Sequence, residues 1–163
     1  MAERTIKVIM NGVTGRMGYR QHLLRSILAI RDAGGVVVGG DRLQVEPVLV
    51  GRSADKLSAL AKQHDIAHWT TDLDAALADP QARIYFDAQV TSARKEAILK
   101  GLAAGKHIFT EKPIAESVAD GLELVSAAEQ AGAITGVVHD KLYLPALVKL
   151  KRLIDLGFFG RIL

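Results

Sequence analysis

The chain has 163 residues, 49% of them apolar and 24% charged, which is one domain's worth of ordinary globular composition rather than a disordered segment. A net charge of +3 spread along the sequence argues against a nucleic-acid stripe, and five histidines with a single i,i+4 pair, His64 and His68, and no carboxylate cluster at metal spacing argue against a metal site. No apolar run reaches the roughly 18 residues of a membrane span, no signal-peptide core opens the chain, and the lack of cysteine excludes disulfides and thiolate chemistry and fits a cytoplasmic protein.

Thr5–Met10 is a β-branched, nearly continuous apolar run, as in a strand buried on both faces. A glycine-rich turn from Asn11 to Gly18 follows, then a helical stretch with Leu23, Leu24, Ile27, Leu28 and Ile30 on one face. Two Gly-Gly pairs within Arg31–Gln44 predict an extended connection with a small hairpin around Val36–Val38. Pro47–Val50 reads as a second strand, ended by Gly51-Arg52-Ser53, with Ser53 capping a helix that carries Leu57, Leu60 and Ala61. Ala67–Trp69 is a short third strand, and the helix begun by Thr71-Asp72-Leu73 stops at Asp79-Pro80. Ile84–Ala88 is a fourth strand; Ser92–Ala104 is its helix, closed by Gly105. Lys106–Thr110 is a fifth strand that runs into Glu111-Lys112-Pro113. A helix near Glu116–Ala131, a sixth strand over Ile134–Val138, and a last helix marked by Leu147, Leu150, Leu153 and Ile154 complete the pattern. Strands alternating with helices predict an α/β chain: a Rossmann-type doubly wound parallel sheet of about six strands with helices on both faces.

Gly12, Gly15 and Gly18 form G-x-x-G-x-x-G between a strand and a helix. Glycines there let backbone N–H groups approach a pyrophosphate at the helix N-terminus, where the dipole favours an anion; the plainer reading is a merely tight βα turn. Arg16 adds a cation to that turn, or is a solvated first-turn residue. An NAD-preferring site places an acid at the end of the second strand. Here Arg52, Ser53 and Lys56 would instead meet a 2′-phosphate, which predicts NADP, with NAD as the alternative and a solvated helix start as the plain reading. Lys112, at a strand end, suits proton transfer or substrate polarisation, or a structural ion pair. Glu111 either orients that lysine or caps the turn, and the isomer of the Lys112–Pro113 bond is open. His139-Asp140-Lys141 is a second polar cluster at a strand end, read as a general base with its neighbours or as structural. Thr91 and Ser92 offer hydroxyls to a ligand, or a helix cap.

Together, the glycine-rich turn, the segment AAGKHIFTEKP at 103–113 and the segment LPALVKLKRLIDLGFFGRIL at 144–163 resemble the N-terminal half of the Gfo/Idh/MocA oxidoreductases. The resemblance implies an NAD(P)-binding domain over 1–140, with 141–163 as exit helix and start of a substrate domain lying beyond the chain. It also implies a catalytic Lys112 near the nicotinamide. Cofactor contacts are expected from Gly12, Thr14, Gly15, Arg16, Met17, Gly18, Arg52, Ser53, Lys56, Thr91, Glu111 and Lys112, and substrate-side contacts from Asp140 and Lys141. Departures are plain. The turn spacing, with GRMG at 15–18, is closer to dihydrodipicolinate reductase, and Thr91 and Arg94 stand where the family carries Asn and His. Asp140 and Leu142, with Lys141 between them, replace its usual Asn and Arg. The family's second-domain Asp/His pair has no counterpart here. The expectation is therefore the cofactor domain of an NADP-dependent oxidoreductase acting on a sugar, polyol or related hydroxy/keto compound, inactive alone and homo-oligomeric through the other domain. The alternatives are an imine-reductase domain or a non-catalytic NADP-sensing module.

Overall fold

A computed structural model describes residues 2–162 of the chain. Strand β1 (Glu3–Asn11) occupies the middle of the sheet, parallel to β3 (Asp41–Val50) on one side and to β5 (Ala82–Asp87) on the other. β6 (His107–Thr110) and β7 (Thr135–Val137) continue the β5 side in parallel. β4 (His68–Thr70) pairs in parallel with the carboxyl half of β3. The order is that of a doubly wound sheet, and the chain reverses its direction of winding between β1 and β5. Crevices at such reversals, outside the strand carboxyl ends, are where ligands bind in open α/β sheets.

The stretch after the first helix differs from its extended reading. The helix α1 runs through Gly18–Leu28 and Ala29–Asp32, and β2 (Val36–Val38) then folds back antiparallel on Asp41–Leu43, making seven strands. The expected hairpin is therefore present, and β3 begins at Asp41, well before Pro47. Pro47 falls where neither β2 nor β4 pairs with β3, a place that tolerates a residue without an amide donor. Gly18–Leu28 is also wound as a π-helix rather than an α-helix. Its i→i+5 pairing brings Gly18, Leu23 and Leu28, five residues apart, onto the buried line, while Leu24, Ile27 and Ile30 are half-buried.

Alternation along β1 divides the core. Val8 and Met10 pack with Leu23, Leu49, Leu57 and Phe86 beneath α1 and α2 (Ala54–Gln63). Ile9 joins Tyr85, Ile98, Leu102, Ile108 and Leu124 on the opposite face, beneath α3 (Leu73–Leu77), α4 (Thr91–Ala103) and α5 (Val118–Gln130). Side-chain oxygens of Ser53, Asp72 and Ser117 accept amide protons at the starts of α2, α3 and α5, each such cap stabilising by about 1 kcal/mol. A short 3₁₀ turn over Asp140–Tyr143 leads to α6 (Pro145–Asp155), whose residues carry no buried side chain. No helix is long and apolar enough to cross a membrane.

Away from the crevice, Lys7 Nζ lies 3.1 Å from Asp79 Oδ2, and the Gln81 amide donates to Asp79 Oδ1 at 2.8 Å. The Gln81 amide foremost, then Lys7, holds the Asp79 carboxyl below its ordinary value of 3.8. A depressed folded value means stability that is full above 3.8 and is lost as pH falls through it toward the folded value. Asp79→Asn should lower the melting temperature at pH 7 by about 2–4 °C, and the gap to the parent chain should close below pH 3.8. Thermal melts across pH 2.5–7 on the order of half-unit steps check this, and a gap independent of pH would refute the linkage.

Candidate functional site

The glycine-rich turn sits at the winding reversal. Gly12 takes φ +81°, and a Cβ on it would stand 2.7 Å from the Ala88 carbonyl carbon and 2.8 Å from the Gln89 nitrogen. A Cβ on Gly18 would stand 2.5 Å from the Gly12 oxygen. Glycine at both places lets the turn press against the end of β5 and lets α1 begin directly over the strand. The Gly12 amide is spent on Val50 and the Gly15 amide on Gly12. Thr14, Gly15, Arg16 and Met17 are exposed, and no side chain caps the start of α1, so the first-turn donors face outward, as an anion-binding turn requires.

Beside this turn, on the α3–α4 side, lies a cleft of about 250 Å³. Asn11, Gly51, Arg52, Thr71, Gln89 and Lys100 contribute to its walls. No acid stands at the end of β3; Arg52 and Lys56 are exposed there. Ser53 is committed, since its Oγ accepts the Lys56 amide at 3.4 Å. Lys100 is held by Asp74 at 3.1 Å. Gln89 Oε1 is buried in this wall without a donor among the described residues. A cradle that a Cβ would fill and an acceptor without a partner both fit a dinucleotide with donor groups on its adenosine end.

Glu111-Lys112-Pro113 forms the other shore of the crevice. The Glu111 amide donates to Asp87 at 2.9 Å, which fixes the turn to the end of β5. Glu111 Oε2 accepts the Lys112 amide at 3.1 Å, and Oε1 lies 2.6 Å from His22 Nε2 on α1. Glu111 therefore caps the turn backbone. The Lys112 side chain is exposed and enters no ion pair among the described residues, so the structural-pair reading of this lysine has no support. The Lys112–Pro113 peptide is cis.

Beneath the turn runs a chain of buried polar contacts. The Asn11 amide donates to Tyr85 Oη at 2.9 Å, and Tyr85 donates to Asp87 Oδ2 at 2.7 Å. Arg94 Nε meets Asp87 Oδ1 at 2.9 Å, its Nη2 donates to the Gln89 carbonyl at 2.7 Å, and its Nη1 donates to the Pro113 carbonyl. Burial, then the Asp87 charge, pushes the Tyr85 hydroxyl up and keeps it protonated as a donor. Arg94 is thus internal scaffolding. Thr91 begins α4 half-buried beside it. His139, Asp140 and Lys141 stand exposed after β7; Lys141 and Asp140 approach only to 3.9 Å, a geometry of little energetic weight.

Asn11, His22, Asp87 and Gln89 are parts of the site that residue patterns did not single out. A polar residue ending each of two adjacent strands, Asn11 and Asp87, is the available signal. His22 and Glu111 are 89 positions apart, and nothing local pairs them.

The chain matches the family model described as "Oxidoreductase family, NAD-binding Rossmann fold" over residues 6–139. It is 59% identical over 159 residues to D-xylose dehydrogenase of Paenarthrobacter nicotinovorans, covering 97% of this chain and 41% of that protein. The structure of levoglucosan dehydrogenase in complex with NADH and levoglucosan superposes with TM-score 0.82 at 23% identity, over 98% of this chain and 41% of the other. The WlbA dehydrogenase from Bordetella pertussis, in complex with NADH and UDP-GlcNAcA, gives 0.81 at 24%, over 99% of this chain and 44% of the other. The chain thus spans less than half the length of these relatives, and the two structural likenesses concern the fold.

Arg94 and Asp87 are 2% and 0% exposed, so removing one charge strands the other in the core. Arg94→Met should cost about 3–5 kcal/mol in urea unfolding. Arg94→Lys should recover only part of it, since one ammonium cannot reach three separately placed acceptors. A loss under about 1 kcal/mol would mean the pair is dispensable.

Proposed function

The chain belongs to the Gfo/Idh/MocA oxidoreductase family, and from that premise we propose that it is the NADP-binding part of a dehydrogenase that moves a hydride to or from a sugar, polyol or related hydroxy/keto compound. The observation that carries the cofactor reading is the pairing of the Gly12–Gly18 cradle with the acid-free end of β3. In this reading the turn amides and Arg16 receive the pyrophosphate. Arg52 and Lys56 receive a 2′-phosphate, and Gln89 accepts from the adenosine end. The likeness to D-xylose dehydrogenase supports an aldose as the substrate of the whole protein.

Bound nicotinamide would supply the hydride donor or acceptor. The chain's own contribution is Lys112, whose free ammonium stands at the crevice edge. It polarises the substrate oxygen or exchanges its proton, while Glu111 and Arg94 hold the turn backbone on either side. Thr91 lies at the start of α4, and Asp140 and Lys141 lie at the exit from β7, so we assign the first to the cofactor and the other two to the substrate side. The division into 1–140 as cofactor domain and 141–163 as exit segment is part of the proposal and is supported by α6 having no buried side chain. Homo-oligomerisation and a cytoplasmic setting complete the proposal, the latter supported by the cysteine-free composition.

Titration with NADPH and with NADH, followed by Trp69 fluorescence and by melting temperature, tests the reading. Tighter binding of NADPH is expected. Arg52→Ala should weaken NADPH by about 10- to 100-fold, or 1.5–3 kcal/mol, while leaving NADH nearly unchanged. Equal losses for both, or none, would remove the 2′-phosphate assignment; no binding of either dinucleotide would remove the cofactor site.

A further inference from the structure

We propose that His22 is the positioning residue for Lys112: it ties the helix that starts at the glycine turn to the turn that presents the lysine. The inference rests on the cofactor reading above and names a mechanical link within that site. Lys112 lies between two anchors drawn from opposite faces of the sheet. From the α4 face, Arg94 takes the carbonyl of Pro113, just after the lysine. From the α1 face, the Glu111 carboxylate takes the lysine's own amide through Oε2, at 3.1 Å.

That carboxylate is itself held. Its side chain is 8% exposed, and a carboxylate so far from water needs donors. His22 Nε2, at 2.6 Å from Oε1, is the side chain that meets it among the described residues. An ionised carboxylate only accepts, so holding it in that form takes the tautomer with the proton on Nε2. The imidazole plane is fixed in turn by Phe86, whose ring centroid is 4.6 Å away at a tilt of 54°. His22 lies on α1 four residues beyond Gly18, where the chain crosses the end of β1. A ligand on the turn amides thus bears on α1, α1 bears through His22 on Glu111, and Glu111 bears on Lys112. Glu111's backbone is already fixed by Asp87, so what His22 adds is the side-chain orientation.

The test uses the 163-residue chain with two probes, NADPH and 2′-phospho-ADP-ribose, which lacks the nicotinamide, together with amide hydrogen exchange at Lys112. In His22→Ala, Lys112 amide exchange should speed up by about tenfold relative to the flanking residues. NADPH affinity should fall about five- to tenfold while the affinity for 2′-phospho-ADP-ribose holds. His22→Gln, which keeps a donor of similar reach, should restore a large part of both. Should the alanine variant not fold, His22→Asn, too short to meet Glu111, carries the same expectations. Equal weakening of the two ligands would make His22 a packing residue of α1, and unchanged Lys112 exchange would overturn the link outright. If the parent chain binds neither probe, the cofactor reading fails, while the exchange measurement still decides whether His22 holds the lysine turn.

Discussion

A guanidinium and a carboxylate removed from water must satisfy each other, and the pairing of Arg94 with Asp87 is the constraint on which the functional edge of this sheet depends. Asp87 ends β5 and receives three donors, from Arg94, Tyr85 and the Gln89 amide. Arg94 comes from the helix that follows, and spends its other donors on two carbonyls that have no place in a ladder, those of Gln89 and Pro113. One side chain thereby completes the hydrogen bonding of two loops that must bend away from regular structure. Such a network is stabilising only while every member is present, since a half-satisfied buried charge is worse than an apolar contact. Its value here is geometric: it ties the Gln89 and Pro113 carbonyls to the end of β5.

Given those ties, the division of labour across the crevice follows from which donors and cations are left over. The glycine turn keeps its outward amides because its glycines carry no side chain and Thr14, Arg16 and Met17 turn to solvent, and the end of β3 keeps its cation because no acid stands beside it. Lys112 keeps its ammonium uncommitted while the residues on both sides of it are bound. In the proposed function the reactive and recognising groups are the unpaired ones, and the paired ones hold them in place.

The alternation of apolar strand and amphipathic helix made the architecture legible, as did the cap residue Ser53 and the helix start at Thr71-Asp72-Leu73, because these signals are local. The glycine spacing and the strand-end lysine were legible for the same reason. Four features were not. Arg94 reads as an ordinary solvated helix residue, since charged residues are seldom buried and its partner lies on a different element. The contact of His22 with Glu111 joins residues that meet only through tertiary structure. The π winding of α1 buries Leu23 and Leu28 and leaves Leu24, Ile27 and Ile30 half-buried, a distinction that a 3.6-residue period placing all five on one face does not make. Asp41–Glu46 escaped as strand because its polar residues mask the alternation, and pairing with β1 and β2 overrides the local preference.

The hydrogen bond from Asn11 to Tyr85 spans 74 positions of chain. During synthesis, the first strand therefore leaves the ribosome long before its β5 neighbour exists, and waits with one edge and its Ile9 face unprotected. At about 5–20 residues per second, that exposure lasts on the order of several seconds. The edge that carries the glycine turn is then among the last parts to become native, because parallel neighbours can join only after the intervening helices have been made. Chaperone dependence and sensitivity to translation speed should accordingly concentrate in the interval before Asp87 emerges.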